Sequence, residues 1–345
     1  MKKSILVGAG LSVFAIGGAG AQNANLCPAG TATTIGGVSV PDRNRASQDA
    51  CQMAVDVFQV MAPQLGLALA GGNATLGQGG TLGGPGHFSI GVRGNVFRGD
   101  LPEVQDFPTP STGGRQARTG AGALPAKEQI LGLPTADAAI GIFRGIPLPL
   151  TNVGGIDLLL SATYVPSVGD STSEVRIVPK QNLQLGYGVR VGLLQESLVM
   201  PGISFTYLKR DLPKTTISGT SSTIDVDITD ASVKTSAFRL VASKSLLVFG
   251  IAVGVGQDQY DQSATVQATV KNTPLGPQRS DAVLLAQKMT RTNYFADLSL
   301  NLPILKIIGE IGQVTGGKVE TFNDFQTGRA DKARPYASIG TRIAF

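Results

Sequence analysis

Few side chains in this sequence could do chemistry, and the first to consider is its only histidine, His87, with Ser89 two residues on. On a strand that spacing puts both side chains on one face, where an imidazole could activate a hydroxyl for nucleophilic attack. His-x-Ser arises easily on any strand, and the chain contains no G-x-S-x-G, no H-E-x-x-H and no paired-cysteine metal spacing. The Gly-rich stretch at 65–87 fails as a dinucleotide loop. After Gly77 and Gly79 the third position of G-x-G-x-x-G is Leu82, and no strand precedes it. Cys27 and Cys51 are the only cysteines, too few with one histidine to hold a metal. In an oxidising compartment they read as a single disulfide, which in the chain-entropy model contributes about 3 kcal/mol. The expectation is a protein that is not an enzyme, with no cofactor and no metal.

The remaining candidates are charges on alternating segments. The clearest is LQLGYGVRVGL, where Leu183, Leu185, Tyr187, Val189, Val191 and Leu193 share one face. Gln184, Gly186, Gly188, Arg190 and Gly192 share the other. Were the apolar face turned to lipid, the opposite parity would expose Arg190 to hydrocarbon at about 2–4 kcal/mol. The cheap parity therefore faces Arg190 inward, and the same rule turns Arg93, Asp157, Arg239, Asp297, Lys306, Glu310 and Arg342 inward. Such charges either pair and fill an interior or line a path for solutes. The inward set is also rich in glycine (Gly141, Gly145, Gly186, Gly188, Gly192, Gly250, Gly254 and Gly340), leaving room for something to occupy or cross the interior.

What must position these residues is a sheet, and the end of the chain suggests which kind. RPYASIGTRIAF places Phe345, Ile343, Thr341, Ile339 and Ala337 on one face and Arg342, Gly340 and Ser338 on the other. This stretch resembles the closing strand of bacterial outer-membrane β-barrels, which ends in Phe with apolar residues at alternate positions before it. The resemblance implies an outer-membrane location, contact with lipid, and a barrel-assembly machinery that reads Ile339, Thr341, Ile343 and Phe345. The other end agrees. Lys2 and Lys3, the apolar run Ile5 to Ile16 and Ala19-Gly20-Ala21 form a secretory signal peptide over 1–21. Its removal lowers the formal charge from +5 to +3, since Lys2 and Lys3 are its only charges. Beyond it the most apolar run, Ser245 to Gly256, has 12 residues. A membrane helix needs about 20, a tilted barrel strand only about 9–11. The mild positive charge forms no basic cluster, so nucleic acid is not an expected partner.

In chain order, 22–44 is polar and irregular. Residues 46–61 then show a helical stripe of Ala50, Met53, Ala54, Val57, Val60 and Met61. Ser47 is its candidate N-cap, and Pro63 its expected end or kink. Ten strands follow: one from His87, then Asp137–Ile146, Gly155–Val165, Asn182–Gln195, Gly202–Arg210, Ser236–Ser243, Leu246–Gln257, Thr292–Leu302, Ile304–Gln313 and the closing strand. Short links alternate with long ones at 98–136, 166–181, 211–235, 258–291 and 314–333, as short periplasmic turns alternate with long external loops. Gly99, Pro102, Pro108 and Pro110 mark the first long link as loop. Ile224/Val226/Ile228 and Ala264/Val266/Ala268/Val270 keep alternating. They read as hairpins continuing past the membrane, or as extra strands that would raise the count to twelve or fourteen.

The expected fold is all-β: a transmembrane antiparallel up-and-down barrel over 86–345, behind a helical, Gly-rich segment at 22–85 that starts on the periplasmic side. That segment either plugs the lumen or packs at the periplasmic mouth; ten strands would be tight around a helix. A helical, Gly-rich segment before a barrel is loosely similar to the FadL-type outer-membrane transporters of hydrophobic compounds, which place an N-terminal plug in the lumen. The expected function is passive transport of small or hydrophobic solutes. The alternative is a surface-exposed structural or binding barrel with a filled lumen.

Overall fold

A computed structural model describes residues 27–28, 33–35, 38–169, 175–273 and 276–345. The signal peptide expected at 1–21 lies outside them. Ten antiparallel strands make the wall: β1 (Phe88–Pro102), β2 (Ala126–Phe143), β3 (Gly155–Tyr164), β4 (Leu183–Leu194) and β5 (Gly202–Asp211). The second half comprises β6 (Ile224–Leu246), β7 (Phe249–Val270), β8 (Val283–Asn301), β9 (Leu305–Thr315) and β10 (Arg334–Ala344). Each pairs with its sequence neighbours, and β10 pairs with β1, so the circuit of pairings returns to its start. At that seam Phe88 and Phe345 exchange backbone hydrogen bonds of 3.0 and 2.9 Å. Their rings stack at 5.0 Å. Three shorter strands bring the sheet to 13: Thr215–Thr220 pairs with β6, Val175–Pro179 with Thr215–Thr220, and Gln278–Arg279 with β7.

Alternation sets inside and outside. On β4, Leu185 and Tyr187 are 70% and 57% exposed, whereas Arg190 is 1% exposed. The count of ten follows from how the alternating loop segments are used. Ile224, Val226, Ile228, Val266 and Ala268 are buried because β6 and β7 simply run on to 23 and 22 residues. The first long link is shorter than expected. The strands flanking it reach Pro102 and start at Ala126, where those two residues pair at the ladder's end. Gly99 and Pro102 are therefore strand residues, not loop. Pro134, farther down β2, sits just past Thr135, where pairing to β3 stops. Its missing N–H costs no ladder bond on that edge.

The segment before the wall is α1 (Pro41–Ala70), 30 residues long and nearly all buried. It begins at Pro41, a favoured first helical position; Ser47 lies inside it and bonds back to Asn44 O at 3.0 Å. The helix also continues through Pro63. The wall encloses it there: Gln64 Nε2 donates to Val60 O at 2.8 Å and to Asp100 O on β1 at 2.9 Å, tying the turn after Pro63 to the sheet. α1 is long and apolar enough to cross a membrane by composition, yet its surface is covered by the barrel. It lies inside, with its start among the long loops and its end deep in the lumen. The chain then descends through 71–86 to β1 at the short-turn end. Cys27 is thus at the long-loop end, bonded to Cys51 and accepting from Arg115 at 2.8 Å. The segment starts at the long-loop end of the barrel, opposite the short-turn end from which the sequence reading starts it.

Ten strands hold a helix because the helix is thin where the wall is close. At Gly66 a Cβ would stand 2.7 Å from the Tyr260 ring. Below Ala70 the chain gives up helix altogether. Gly71 takes φ +58°, and its N–H bonds to Leu67 O at 3.1 Å, the left-handed stop that glycine permits.

The lumen has two linings. Beside α1, Met53, Val57 and Phe58 pack against Ile224, Val226, Val266, Leu285 and Met289. A fully buried side chain of this kind contributes about 1.5–3 kcal/mol. Lower down, where the outer face is apolar, the inner face is charged.

Candidate functional site

The charged lumen is built from cross-strand partners. Asp157 and Arg190 stand opposite each other on β3 and β4. The guanidinium reaches Asp157 Oδ2 through Nε and Nη2 at 2.9 and 2.7 Å. Asp137 on β2 bridges two arginines, Arg93 Nε at 3.0 Å and Arg210 Nη2 at 2.7 Å. Arg239 on β6 pairs with Asp258 on β7 at 2.6 Å. Asp297 and Glu310 are directly opposite on β8 and β9. All of these sit on the polar side of the alternation; the arginine–aspartate pairs offset one another's buried charge, whereas Asp297 and Glu310 are two carboxyls that take their donors from Asn73.

The pairs also hold the segment threaded between them. Arg210 Nη1 donates to Leu69 O and Ala70 O at 3.3 and 3.1 Å. Arg239 donates to Gly72 O and Gly71 O at 2.9 and 3.0 Å. The last turn of α1 has no basic residue of its own, so the wall supplies cations to its unpaired carbonyls and to the negative end of its dipole. Asn293 adds a bond to Gly71 O at 2.7 Å, and Arg93 one to Asn73 O. Asn73 is gripped from the other side: its N–H donates to Glu310 at 2.7 Å and its side-chain amide to Asp297 at 2.7 Å.

Farther down, Gly77 N donates to Asp297 at 2.8 Å, Gly79 N to Ser243 Oγ at 2.9 Å, and Leu82 N to Asp157 at 3.1 Å. Arg342 donates to Gln78 Oε1 at 2.7 Å, and Gln195 to Thr81 O at 2.7 Å. The room left by lumenal glycines is taken up: Gly84 lies against Gly141, Thr81 against Gly192 and Leu76 against Gly340.

The eight charges singled out from the sequence thus divide. Arg93, Asp157, Arg239, Asp297, Glu310 and Arg342 all touch the threaded segment, and Arg190 reaches it through Asp157. Lys306 is half-buried and lines a cavity of about 160 Å³ at the short-turn end, with Arg342, Glu196 and Gln78. Sequence reasoning missed Arg210, Asp137 and Asp258. The first two have the inward parity of their strands, and Asp258 lies one residue beyond the end assigned to its strand. That Asn73 is the hub had no periodic signal at all.

At the long-loop end, two aspartates two turns apart on α1 seat two loops. Asp49 takes both Arg118 nitrogens at 3.0 and 2.6 Å, and Ser111 N and Gln116 N at 2.7 and 3.0 Å. Asp56 accepts from Phe322 N, Asn323 N and Asn323 Nδ2 at 3.0, 2.9 and 2.6 Å. Burial pushes its carboxyl up from 3.8 to about 7, against the pull of those hydrogen bonds. The loops are laced together by Leu124 N to Asp324 O at 2.8 Å and Gln326 N to Leu124 O at 3.0 Å. A cavity of about 490 Å³ lies between them, lined by Ala123, Glu320, Phe325 and Arg329 among others.

His87 is exposed, with Nδ1 3.3 Å from Gly84 O, while Ser89 is inward and 2% exposed. His87 precedes β1, so strand parity does not reach it and the two side chains diverge. Among the described residues no group of three or more His, Cys, Asp or Glu is placed to hold a metal ion. Ile339, Ile343 and Phe345 face outward, 69%, 37% and 62% exposed, with Thr341 half-buried between them.

No family model matches the chain, and no curated protein matches its sequence. Among solved structures it is similar to the transport unit of the autotransporter AIDA-I from Escherichia coli, at 8% identity and TM-score 0.34, covering 86% of this chain and 99% of that one. It is similar to the translocator domain of the autotransporter NalP from Neisseria meningitidis, at 11% identity and TM-score 0.32, covering 75% and 88%. A third is the Pseudomonas putida toluene transporter TodX, at 11% identity and TM-score 0.29, covering 84% and 96%.

Proposed function

We propose that this protein is an outer-membrane barrel for passive transport of small or hydrophobic solutes, shut at rest by its own amino-terminal segment. One observation carries the reading: the lumen holds an irregular stretch of chain, residues 71–82, seated by many polar contacts from the wall and by a small apolar cluster of Ala74 and Leu82 with Ala139, Leu159 and Leu208. Each such polar contact is worth about 0.5–1.5 kcal/mol net, or about 1.5–3 to a charged group, and water entering an opened lumen would replace it. A segment so held can shift and rehydrate without unfolding the barrel. The half of α1 above it, packed in an apolar cluster and stapled by Cys27–Cys51, stays put. In this reading Arg93, Asp157, Arg190, Arg239, Asp297, Glu310 and Arg342 are seating contacts at rest and line the path when it opens; Lys306 lines its entrance.

The filled lumen favours a second reading, a structural or binding barrel that transports nothing and displays its stapled amino-terminal segment and long loops outside. Planar-bilayer conductance separates the two. The transport reading expects a nearly closed protein with rare openings, and frequent openings once the seating contacts are cut. A barrel that stays silent after those contacts are cut refutes it and leaves the display reading.

A further inference from the structure

The four short turns end in exposed apolar side chains. Leu148 and Leu150 occupy the first, Leu198 and Val199 the second, Leu247 and Val248 the third, and Leu302 and Ile304 the fourth. Leu198 and Leu247 are 95% and 97% exposed. Turns meeting water are ordinarily polar, with Gly, Asn, Asp and Ser dominant.

On two strands the apolar belt is also too short without them, whereas on β4 it runs unaided from Leu183 to Leu193. On β5 the outward apolar residues run only from Ile203 to Tyr207, five positions, before Lys209. On β6 they run from Phe238 to Ala242, again five, with Ser236 and Lys234 beyond. A membrane-crossing barrel strand needs about 9–11 residues. Counted from the turn tips, Leu198 to Tyr207 and Phe238 to Leu247 are each 10 residues. On β5 and β6 the missing height is in the turns.

One charge lies inside that extended belt on β6, and its bonding fits a dry setting. Lys244 Nζ meets the carbonyls of Ser197, Leu198 and Met200, the latter two at 2.8 and 3.3 Å. An ammonium has three protons, and three carbonyls take them all. The neighbouring Glu196 is likewise engaged, accepting from Ser245 N. Outward phenylalanines, Phe88, Phe143, Phe249 and Phe345, ring the same end.

We infer that the short-turn rim is a lipid-binding surface: the four turns are immersed in the acyl region of the adjacent leaflet, continuous with the belt, and anchor the barrel at that depth. The protein has no tryptophan, so single-tryptophan variants report depth cleanly. Leu198→Trp and Leu247→Trp change side chains that pack against almost nothing, so folding is undisturbed; Val199→Trp is a further variant of the same kind. Leu185→Trp marks the belt, and Ser222→Trp, in an exposed long loop, marks water. Each refolded protein is placed in phosphatidylcholine vesicles with and without bromine on the upper acyl chain, and excited where tyrosine does not absorb.

The expected result is blue-shifted emission at Leu198→Trp and Leu247→Trp, quenched by bromolipid at least half as strongly as Leu185→Trp. Emission that matches Ser222→Trp, quenched by acrylamide and untouched by bromolipid, overturns the inference. So does shielding from both quenchers, which would mean that a second copy covers the rim. None of these outcomes depends on whether the lumen opens.

Discussion

Replacing Arg239 with alanine should unseat the plug, and the structure sets the size of the effect. The guanidinium joins Asp258, on the wall, to the carbonyls of Gly71 and Gly72, on the plug. Asp258 is fully buried and keeps the neutral Asn293 Nδ2, at 3.2 Å, and the Tyr260 side chain once the arginine is gone. Removing one member of a buried pair costs about 3–5 kcal/mol. Water entering an opened lumen would relieve that cost, so the loss bears mainly on the closed state. At about 1.4 kcal/mol per tenfold, the open fraction should rise at least a hundredfold, read as open probability in planar bilayers. Arg239→Ala/Asp258→Ala removes the stranded charge as well. Like Arg239→Ala it lacks the two bonds to the plug carbonyls, but it strands no buried carboxylate, so its opening should lie between those of the parent and Arg239→Ala and its heat resistance closer to that of the parent. Both variants folded, by heat-modifiable migration, yet as silent as the parent would refute the gating argument.

Other consequences follow from single contacts. Reducing Cys27–Cys51, or replacing both with serine, frees a loop spanning 24 positions. The loss of about 3 kcal/mol should appear as faster proteolysis of the α1 start while the wall stays protected. Asp56 should make the loop at 316–333 tighter in acid. Its carboxyl is raised from 3.8 to about 7 in the fold, so between those values the opened loop releases a proton that the seated loop retains. Protection therefore falls as pH rises through that window and levels above it. Hydrogen exchange at Phe322 and Asn323, corrected for intrinsic rate, checks this, and Asp56→Asn should flatten the dependence. Deleting Phe345 removes the ring stack on Phe88 and the last two backbone bonds of the seam. The yield of folded barrel should drop severalfold in cells, with unfolded chain accumulating.

How far the sequence alone went depends on which interactions leave a period in the chain. Inside and outside on β4, the ten-strand circuit and the inward placement of Arg190, Asp157 and Glu310 were legible, because a strand that separates two solvents must alternate at every step and a misplaced arginine is expensive. The Cys27–Cys51 bond was legible because only one pairing exists. The ends of elements were not. Pro102 and Pro63 are breakers in isolation; Pro102 finds a ladder partner in Ala126, and Pro63 lies in a helix that the wall encloses.

Least legible was the plug. Residues 71–82 have no repeat and little structure of their own, and Asn73 becomes a hub only because strands far apart in sequence bring Arg93, Asp297 and Glu310 around it. The thread of the segment through the lumen, with Cys27 among the long loops, is likewise a matter of long-range closure. Alternation tells each strand which way to face; what stands in the middle is decided by the shape and charge of a cavity that does not exist until all ten strands have met.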